Sequence, residues 1–187
     1  MKKQRAIKSD VSFVIHYHKT IRPHYDLRLE INCTMPSWAI PKGPTLDPTV
    51  KRLAMETTEH DMEYRNFEGV IPEGAYGAGA VMIWDAGTYI AERELEKGVR
   101  ETITDPNEAA DVMQHGLHKG EIKFTLNGKK LNGSFALVKT RGFGPKNAWL
   151  LIKHKDSYCI SDYDAKDFPK SVKSNRTIDE IASDNNE

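Results

Sequence analysis

Short β-rich segments separated by turn signals constrain the fold of this chain more than any other feature of its sequence. Alternating or β-branched residues occupy residues 12–18, 24–31, 37–40, 52–57, 79–84, 88–91, 121–126, 133–139 and 148–153. Parallel strands would require a helix between almost every pair, whereas the chain has one strong helix signal. The pattern therefore predicts a mostly β, antiparallel barrel or sandwich. Closure into a barrel is favoured because it removes exposed strand edges.

Local signals mark this helix and several turns. Asp105-Pro106-Asn107-Glu108 supplies an N-cap, a proline at the first helical position and an acid in the first turn, and Gly116 is expected to end the helix. Asn127-Gly128 predicts a hairpin turn with positive φ. The glycines of residues 72–79 lack the dinucleotide-binding spacing and precede a strand, so they predict a tight bend rather than a phosphate-binding loop.

The length of 187 residues fits one compact domain or two small ones. We expect a basic N-terminal arm over residues 1–11, one domain over residues 12–160, and a polar C-terminal tail over residues 161–187 with a short helix near its end. No segment approaches the roughly 18 apolar residues that cross a bilayer, so the sequence predicts a soluble, cytoplasmic protein without a membrane partner. Cys33 and Cys159 form no CxxC pair and are expected to be free thiols.

The charge balance argues against binding to long stretches of nucleic acid. Lysine and arginine total 27, as do aspartate and glutamate, whereas proteins that cover long duplexes are usually basic. Two segments, residues 1–8 and 139–155, are rich in lysine and arginine. They could hold a few phosphates or could simply be solvated surfaces.

The segment from His24 to Glu30 carries the clearest chemical signal. In a strand, His24, Asp26 and Arg28 share one face, while leucines alternate with them on the other. Alternate residues lie about 6.6 Å apart, so His24 and Asp26 can converge on one ion. Arg28, roughly 13 Å from His24 along the strand, is expected to bind an anion beside that ion.

His18 lies across a turn from His24 and could supply a third ligand. Two imidazoles and one carboxylate leave open coordination positions, which suits Mn²⁺, Fe²⁺ or catalytic Zn²⁺ better than a closed structural site. The pattern is compatible with a catalytic metal site at His18, His24 and Asp26, and equally with histidines that are only surface residues on a solvated strand face.

Three further residues carry weaker signals. Lys42 lies in a proline-rich loop that could hold a cation rigidly, although a solvated turn lysine fits the same pattern. His60 follows a predicted strand, and Tyr64 lies four residues further on. Either residue, or neither, could contact an anion.

Four motifs then occur in the order found in a known family. They are His18-x5-His24-Tyr25-Asp26-x-Arg28-Leu29-Glu30, Ser37-Trp38-Ala39-Ile40-Pro41-Lys42-Gly43-Pro44, Phe67-Glu68-Gly69-Val70-Ile71-Pro72-Glu73-Gly74-x-Tyr76-Gly77-Ala78-Gly79 and Trp149-Leu150-Leu151-Ile152-Lys153-His154. Over residues 12–156 the chain resembles the 3′-phosphoesterase domain of bacterial ATP-dependent DNA ligase D and its free-standing archaeal and bacterial relatives. The resemblance implies a closed or nearly closed eight-stranded antiparallel β-barrel with one or two flanking helices, here as a free-standing version.

The resemblance also implies a metal-dependent 3′-phosphoesterase that uses Mn²⁺, with Co²⁺, Zn²⁺ or another divalent cation as alternatives. Such an enzyme removes a 3′-terminal ribonucleoside by diester cleavage and then the 3′-phosphate, which leaves a 3′-OH for end-joining repair. The implied partners are nucleic-acid 3′ ends in a primer–template, together with a separate DNA ligase and polymerase.

Residue by residue, the resemblance places the metal on His18, His24 and Asp26. It places Arg28 and His60 on the scissile phosphate, with Lys42 and Tyr64 as supporting contacts. His16 stands where the family usually has glutamine, so it is open as an extra metal ligand or phosphate contact.

Two alternatives belong to other classes. A non-haem Fe(II) oxygenase on a jelly roll would use two histidines and a carboxylate with an arginine for a 2-oxoacid, although its second histidine normally lies far downstream. A non-catalytic module that binds nucleic-acid ends would use the polar strand only to hold phosphate. Turnover distinguishes these from a phosphoesterase.

Overall fold

The computed structural model describes residues 11–142 and 144–186, and β-strands dominate that part of the chain. The strands are Val11–Lys19 (β1), His24–Leu29 (β2), Met35–Ile40 (β3), Lys51–His60 (β4), Gly69–Ile71 (β5), Gly79–Glu96 (β6), Val99–Thr102 (β7), Glu121–Gly128 (β8), Asn132–Lys139 (β9) and Ala148–Lys153 (β10). The α-helices are Pro106–Lys119 (α1) and Ile178–Ala182 (α2), and 3₁₀ helices cover Met62–Asn66, Ala165–Asp167 and Ser183–Asn186.

The strands form one antiparallel sheet in the order β1-β2-β3-β4-β10-β9-β8-β6, and β6 pairs back with β1. These pairings join eight strands in a ring, while β5 and β7 pair with β6 alone. The predicted mostly β, antiparallel class is confirmed. The barrel shape of the ring stays a prediction.

Residue alternation separates a buried apolar face from a polar one. Ile15 on β1 and Leu27 on β2 pack in the main core with Trp38, which contacts Trp149 edge to face. Because strand residues alternate, the neighbours of these residues on β1 and β2 lie on the opposite face. That opposite face holds the histidines, the aspartate and the arginine of the predicted site.

Helix α1 begins where the sequence predicts. The Asp105 side chain accepts a 2.8 Å hydrogen bond from the Glu108 backbone N–H, and Pro106 is the first helical residue. A proline lacks the N–H that would be unpaired at this position, so it costs nothing there.

The predicted end of this helix is wrong. Gly116 lies inside α1, which continues to Lys119 and ends at Gly120 with φ +84°. A Cβ at Gly116 would lie 2.5 Å from the Glu121 carbonyl oxygen, so glycine is required there by a contact with the following strand. The residue permits close packing rather than a turn.

A hairpin joins β8 and β9 as predicted, but Asn127 and Gly128 still belong to β8 and the turn follows them. The predicted positive φ is wrong, because the described residues with positive φ include neither Asn127 nor Gly128. A Cβ on Gly128 would lie 2.4 Å from Asp85 Oδ2. This glycine therefore makes room for a buried carboxylate.

Two expected runs, residues 79–84 and 88–91, are one continuous strand, β6. The strands β5 and β7 were not predicted, because segments of three and four residues carry too little periodicity to detect.

The C-terminal segment packs on the sheet instead of extending from it as a tail. Tyr163 and Ile181 are buried in the main core, and the Val172 backbone N–H donates to the Ile83 carbonyl at 3.0 Å. The expected short helix is α2, which is capped by Thr177. Of the predicted basic arm, only Val11 lies within the described residues, and it begins β1.

The two cysteines and the lengths of the helices bear on two further expectations. Cys33 and Cys159 are free thiols, as predicted. No helix in the described part of the chain is both long enough and apolar enough to cross a bilayer.

Candidate metal and phosphate site

The pairing of β1 with β2 brings the three predicted metal ligands together. His18 lies directly opposite His24, and His16 lies opposite Asp26. One nitrogen from each of His18 and His24 and one oxygen of Asp26 lie within 4.8 Å of one another. Asp26 Oδ2 is 3.5 Å from His24 Nε2 and 3.9 Å from His18 Nδ1. The donor set of two imidazoles and one carboxylate fits a divalent cation with open positions.

Backbone carbonyls fix which nitrogen of each histidine faces Asp26. His18 Nε2–H donates to the Gly77 carbonyl at 2.8 Å, which leaves Nδ1 as the ligand atom. His24 Nδ1–H donates to the Arg22 carbonyl at 2.8 Å, which leaves Nε2. Metal-binding histidines in proteins are commonly oriented in this way through their second nitrogen.

The electrostatics favour an ionised carboxylate in this group. Burial acts to raise the pKa of Asp26, but the hydrogen bond with His24 and the charge of Arg28 outweigh it and lower the pKa. The hydrogen bond with Asp26 raises the pKa of His24. Burial lowers the pKa of His18, which favours the neutral imidazole that a metal requires.

Arg28 lies closer to the metal-ligand group than its strand position predicts. Its side chain runs back along β2, and Nη2 donates to Asp26 Oδ2 at 3.1 Å. Nη1 donates to Ser37 Oγ at 2.9 Å and lies 2.9 Å from His60 Nδ1, while Nε donates to His16 Nδ1 at 3.1 Å. The roughly 13 Å expected between Arg28 and His24 along the strand therefore does not describe where the guanidinium lies. That distance follows the backbone and neglects the length of the side chain.

His16 contacts Arg28 and lies outside the group of potential metal ligands. Its Nε2–H donates to the Phe67 carbonyl at 3.0 Å, so its Nδ1 accepts the bond from Arg28. Burial, with the charge of Arg28, lowers the pKa of His16 to about 3. A neutral His16 can therefore hold the guanidinium in place without adding a charge.

His60 and Tyr64 meet beside Arg28, although they belong to different elements. His60 ends β4, Tyr64 lies in the 3₁₀ helix that follows, and their ring centroids are 4.9 Å apart. The Arg28 guanidinium carbon is 5.0 Å from the centre of the Tyr64 ring. Burial, then the charge of Arg28, lowers the pKa of His60, and burial raises that of Tyr64.

Lys42 is not part of these contacts. It lies exposed in the turn after β3, and no hydrogen bond or ion pair among the described residues joins it to Arg28 or Asp26. Sequence reasoning missed Ser37, whose position opposite Arg28 across the β2–β3 pair would have indicated the contact. It also missed the carbonyls of Arg22, Phe67 and Gly77, because every residue has a carbonyl and none carries a sequence signal.

Comparison with known proteins identifies related sequences. The profile of the family described as "DNA Ligase D 3'-phosphoesterase domain" matches residues 16–139. "Multifunctional non-homologous end joining protein LigD" of Pseudomonas aeruginosa is 41% identical over 169 residues, which cover 89% of this chain and 18% of that protein. "Multifunctional non-homologous end joining DNA repair protein LigD" of Mycobacterium tuberculosis is 37% identical over 155 residues, covering 82% of this chain and 17% of that protein.

The chain thus spans less than a fifth of the length of these relatives. The matched region includes each metal-ligand candidate, Arg28 and the residues that contact it. The extent of the match and the identity over most of the chain agree with the motifs seen in the sequence. This chain belongs to the DNA ligase D 3′-phosphoesterase domain family.

Proposed function

We propose that this chain is a Mn²⁺-dependent phosphoesterase that processes the 3′ ends of nucleic acids for end-joining repair. It would release a 3′-terminal ribonucleoside by diester cleavage and then remove the 3′-phosphate. Its partners would be primer–template 3′ ends and a separate ligase and polymerase. The observation that carries the proposal is the juxtaposition of the His18, His24 and Asp26 group with the Arg28 guanidinium.

The donor set supports a divalent cation held by His18, His24 and Asp26. When bound, such an ion supplies a Lewis acid for a phosphate oxygen and lowers the pKa of a bound water. The protein contributes the orientation of both imidazoles through two carbonyls, so the ligand atoms need not reorganise.

Arg28 would stabilise the charge that grows on the phosphate during the reaction. One well-placed donor contributes on the order of 10²–10³ in rate. Its bonds to Asp26, Ser37 and His16 fix the plane of the guanidinium and use donors on all three nitrogens. When His60 Nδ1 also accepts from Nη1, four of the five N–H donors are engaged, and a bidentate grip on phosphate would require Arg28 to release one partner.

His60 would act on the leaving oxygen or position the phosphate. In the free protein its lowered pKa favours the neutral ring. Its Nδ1 lies 2.9 Å from Arg28 Nη1 and 3.0 Å from the Thr58 carbonyl, so it accepts from Arg28 in the tautomer that carries the proton on Nε2. A bound phosphate would offset the charge of Arg28 and favour protonation of His60. Protonated His60 could no longer accept from Arg28, which would free an N–H of Nη1 for the phosphate.

The neutral net charge is compatible with this function, because recognition of a terminal phosphate needs only a small positive footprint. The family match does not favour an oxygenase or a non-catalytic end-binding module.

The decisive experiment incubates the purified protein and Mn²⁺ with a primer–template that ends in a 3′-phosphate. We expect conversion to a 3′-OH, and we expect His24→Ala and Asp26→Ala to abolish it while the circular dichroism spectrum is retained. His118→Ala, on the exposed face of α1, is the matched control and should keep full activity. Full activity of a metal-stripped His24→Ala protein would refute the assignment.

A further inference from the structure

Two adjacent loops each orient one metal-ligand histidine. The turn between β1 and β2 supplies the Arg22 carbonyl that accepts from His24, and the loop before β6 supplies the Gly77 carbonyl that accepts from His18. The loops are neighbours, since a Cβ on Gly79 would lie 2.3 Å from the Lys19 carbonyl oxygen. Both loops therefore lie at the His18 and His24 end of the site.

The tips of the same two loops carry the most exposed large apolar side chains of the described residues. Tyr76 is 97% exposed and Ile21 is fully exposed, whereas Tyr158, an exposed tyrosine elsewhere, is 53% exposed. A single exposed apolar residue is ordinary on a protein surface. These two residues, however, both lie on the loops that orient the metal ligands.

Backbone geometry holds Tyr76 outward. The Ala78 N–H donates to the Ala75 carbonyl at 3.2 Å, and Gly77 has φ +75°. This is the arrangement of a type II turn with glycine at its third position, so Tyr76 occupies the second position at the corner. In the neighbouring loop, Thr20 Oγ1 donates to the Arg22 carbonyl and accepts from the Arg22 N–H. These two hydrogen bonds join the residues on either side of Ile21.

A terminal nucleotide bound at the metal-ligand group would bring an aromatic base towards these two loops. Its phosphate would lie at Arg28 and the metal-ligand group, and its base, attached through the sugar, would extend beyond them. Stacking on an aromatic side chain tolerates any base, because every base has a π-face. That tolerance suits an enzyme that must accept an end of any sequence.

We propose that Tyr76 stacks on the base of the 3′-terminal nucleotide and so forms a base subsite, beside the neighbouring loop that carries Ile21. The inference rests on the proposed function, because it takes the substrate to be a nucleic-acid 3′ end. It adds a recognition element that the metal, Arg28 and His60 do not provide.

The test measures binding without turnover. An oligonucleotide primer–template with 2-aminopurine as its 3′-terminal base and a 3′-OH is titrated with protein, and both fluorescence quenching and anisotropy are recorded. We expect quenching by the unaltered protein and by Tyr76→Phe. We expect Tyr76→Ala to lose the quenching and to bind about 5- to 150-fold more weakly, which is the effect of losing one stacked base. Tyr158→Ala is the matched control and should behave as the unaltered protein.

A second titration uses a primer–template whose 3′-terminal nucleotide lacks its base. Tyr76→Ala should bind this end as well as the unaltered protein does, because there is no base to stack. If Tyr76→Ala quenched and bound the base-bearing end as well as the unaltered protein does, the inference would be overturned. That result is expected if these loops bind a protein partner instead of a base. An equal loss in Tyr158→Ala would also overturn the inference.

The two proposals fail separately. If the unaltered protein binds and quenches the fluorescent end but never hydrolyses a 3′-phosphate, the proposed function fails and the base subsite stands. If it hydrolyses a 3′-phosphate with the same KM in Tyr76→Ala, the base subsite fails and the proposed function stands.

Discussion

Asp26 and Asp85 are both buried in one sheet, but different kinds of group pair with them. Asp26 on β2 is 5% exposed, and Asp85 on β6 is fully buried. Burial of a carboxylate is costly, so each must have partners. Their sequence contexts differ, because His24 and Arg28 share the strand face of Asp26, whereas the alternate neighbours of Asp85 are Ile83 and Gly87.

Backbone N–H groups pair with Asp85. Its Oδ1 accepts from Ala86, Lys129 and Lys130 at 3.0, 2.9 and 3.1 Å, and its Oδ2 accepts from Leu131 at 2.9 Å. Three of these donors belong to the loop between β8 and β9, so this carboxylate organises a hairpin. The donors are part of the folded main chain and leave no place for a ligand.

Side chains pair with Asp26. It accepts one hydrogen bond from Arg28 and faces the ring nitrogens of His18 and His24. Side chains can exchange partners, whereas backbone amides cannot without unfolding. The type of partner, rather than burial, therefore separates a carboxylate that serves the fold from one that can bind a cation.

The same substitution, aspartate to asparagine, is expected to have different consequences at the two positions. Asp26→Asn removes the charge of the metal-ligand group, and we expect kcat/KM on a 3′-phosphate end to fall on the order of 10³-fold or more, since several kcal/mol of metal-dependent stabilisation are lost. Asp85→Asn places an amide NH₂ against a backbone N–H, and we expect the free energy of unfolding to fall by about 1–3 kcal/mol. Steady-state kinetics and urea unfolding measure the two effects.

The control in this pair is the activity of each folded molecule. Asp85→Asn should retain the kcat/KM of the unaltered protein at a temperature where it is fully folded. If Asp85→Asn lost activity as severely as Asp26→Asn under those conditions, the distinction between the two carboxylates would be wrong.

A second prediction tests whether Arg28 acts on the phosphate rather than on metal binding. Lysine offers one point charge in place of a planar fork, so Arg28→Lys cannot keep the contacts to Asp26, Ser37 and His16 together. We expect turnover to fall about 10²–10³-fold, with Mn²⁺ affinity changing much less. Single-turnover kinetics and a Mn²⁺ titration check this, and equal losses in both would count against a role on the phosphate.

A third prediction concerns the carbonyl that orients His18. Gly77→Ala places a side chain at φ +75°, and the strain of about 1–2 kcal/mol is relieved by moving the loop and its carbonyl. We expect Mn²⁺ affinity to fall about 10-fold, the lower range for such orienting contacts. Calorimetric Mn²⁺ titration measures it.

Gly98→Ala is the matched control, because Gly98 has φ +82° and no atom within 4 Å of an added Cβ. It carries the same backbone strain in the turn between β6 and β7, away from the histidines. An equal loss of Mn²⁺ affinity in Gly98→Ala would show that strain alone, and not the His18 contact, explains the result.

The smallest expected effect is a pH dependence at Asp85. Burial raises the pKa of Asp85, even though four backbone N–H groups act to lower it. The folded protein therefore binds this proton more tightly than the unfolded chain, whose aspartates titrate near pKa 3.9. As the pH falls through the raised pKa towards 3.9, the unaltered protein should gain stability relative to Asp85→Asn, which cannot titrate.

Urea unfolding of both proteins across the acidic range measures this difference. Subtracting the free energy of unfolding of Asp85→Asn from that of the unaltered protein at each pH removes the contribution of the carboxylates that both proteins share. A difference that shrinks as the pH falls would mean that the amides dominate and that the pKa of Asp85 is lowered.

Local patterns could be read from the sequence where one element alone decides the outcome. The alternation from His24 to Leu29 correctly gave both faces of β2, because the period of a strand is a property of its own backbone. The start of α1 at Asp105 followed for the same reason, since an N-cap contacts its own helix. The helix end predicted at Gly116 was wrong because glycine is required there by a contact with β8, which the local sequence does not reveal.

The groups that pair with these side chains come from distant parts of the chain. His18 and Gly77 are 59 residues apart, and His16 and Phe67 are 51 apart, so no local rule connects them. Strand register and loop position depend on packing across the whole ring, and carbonyls and amides occur at every position without a sequence signal. The residue types for cation and phosphate chemistry are therefore visible in the sequence, whereas their pairing is a property of the fold.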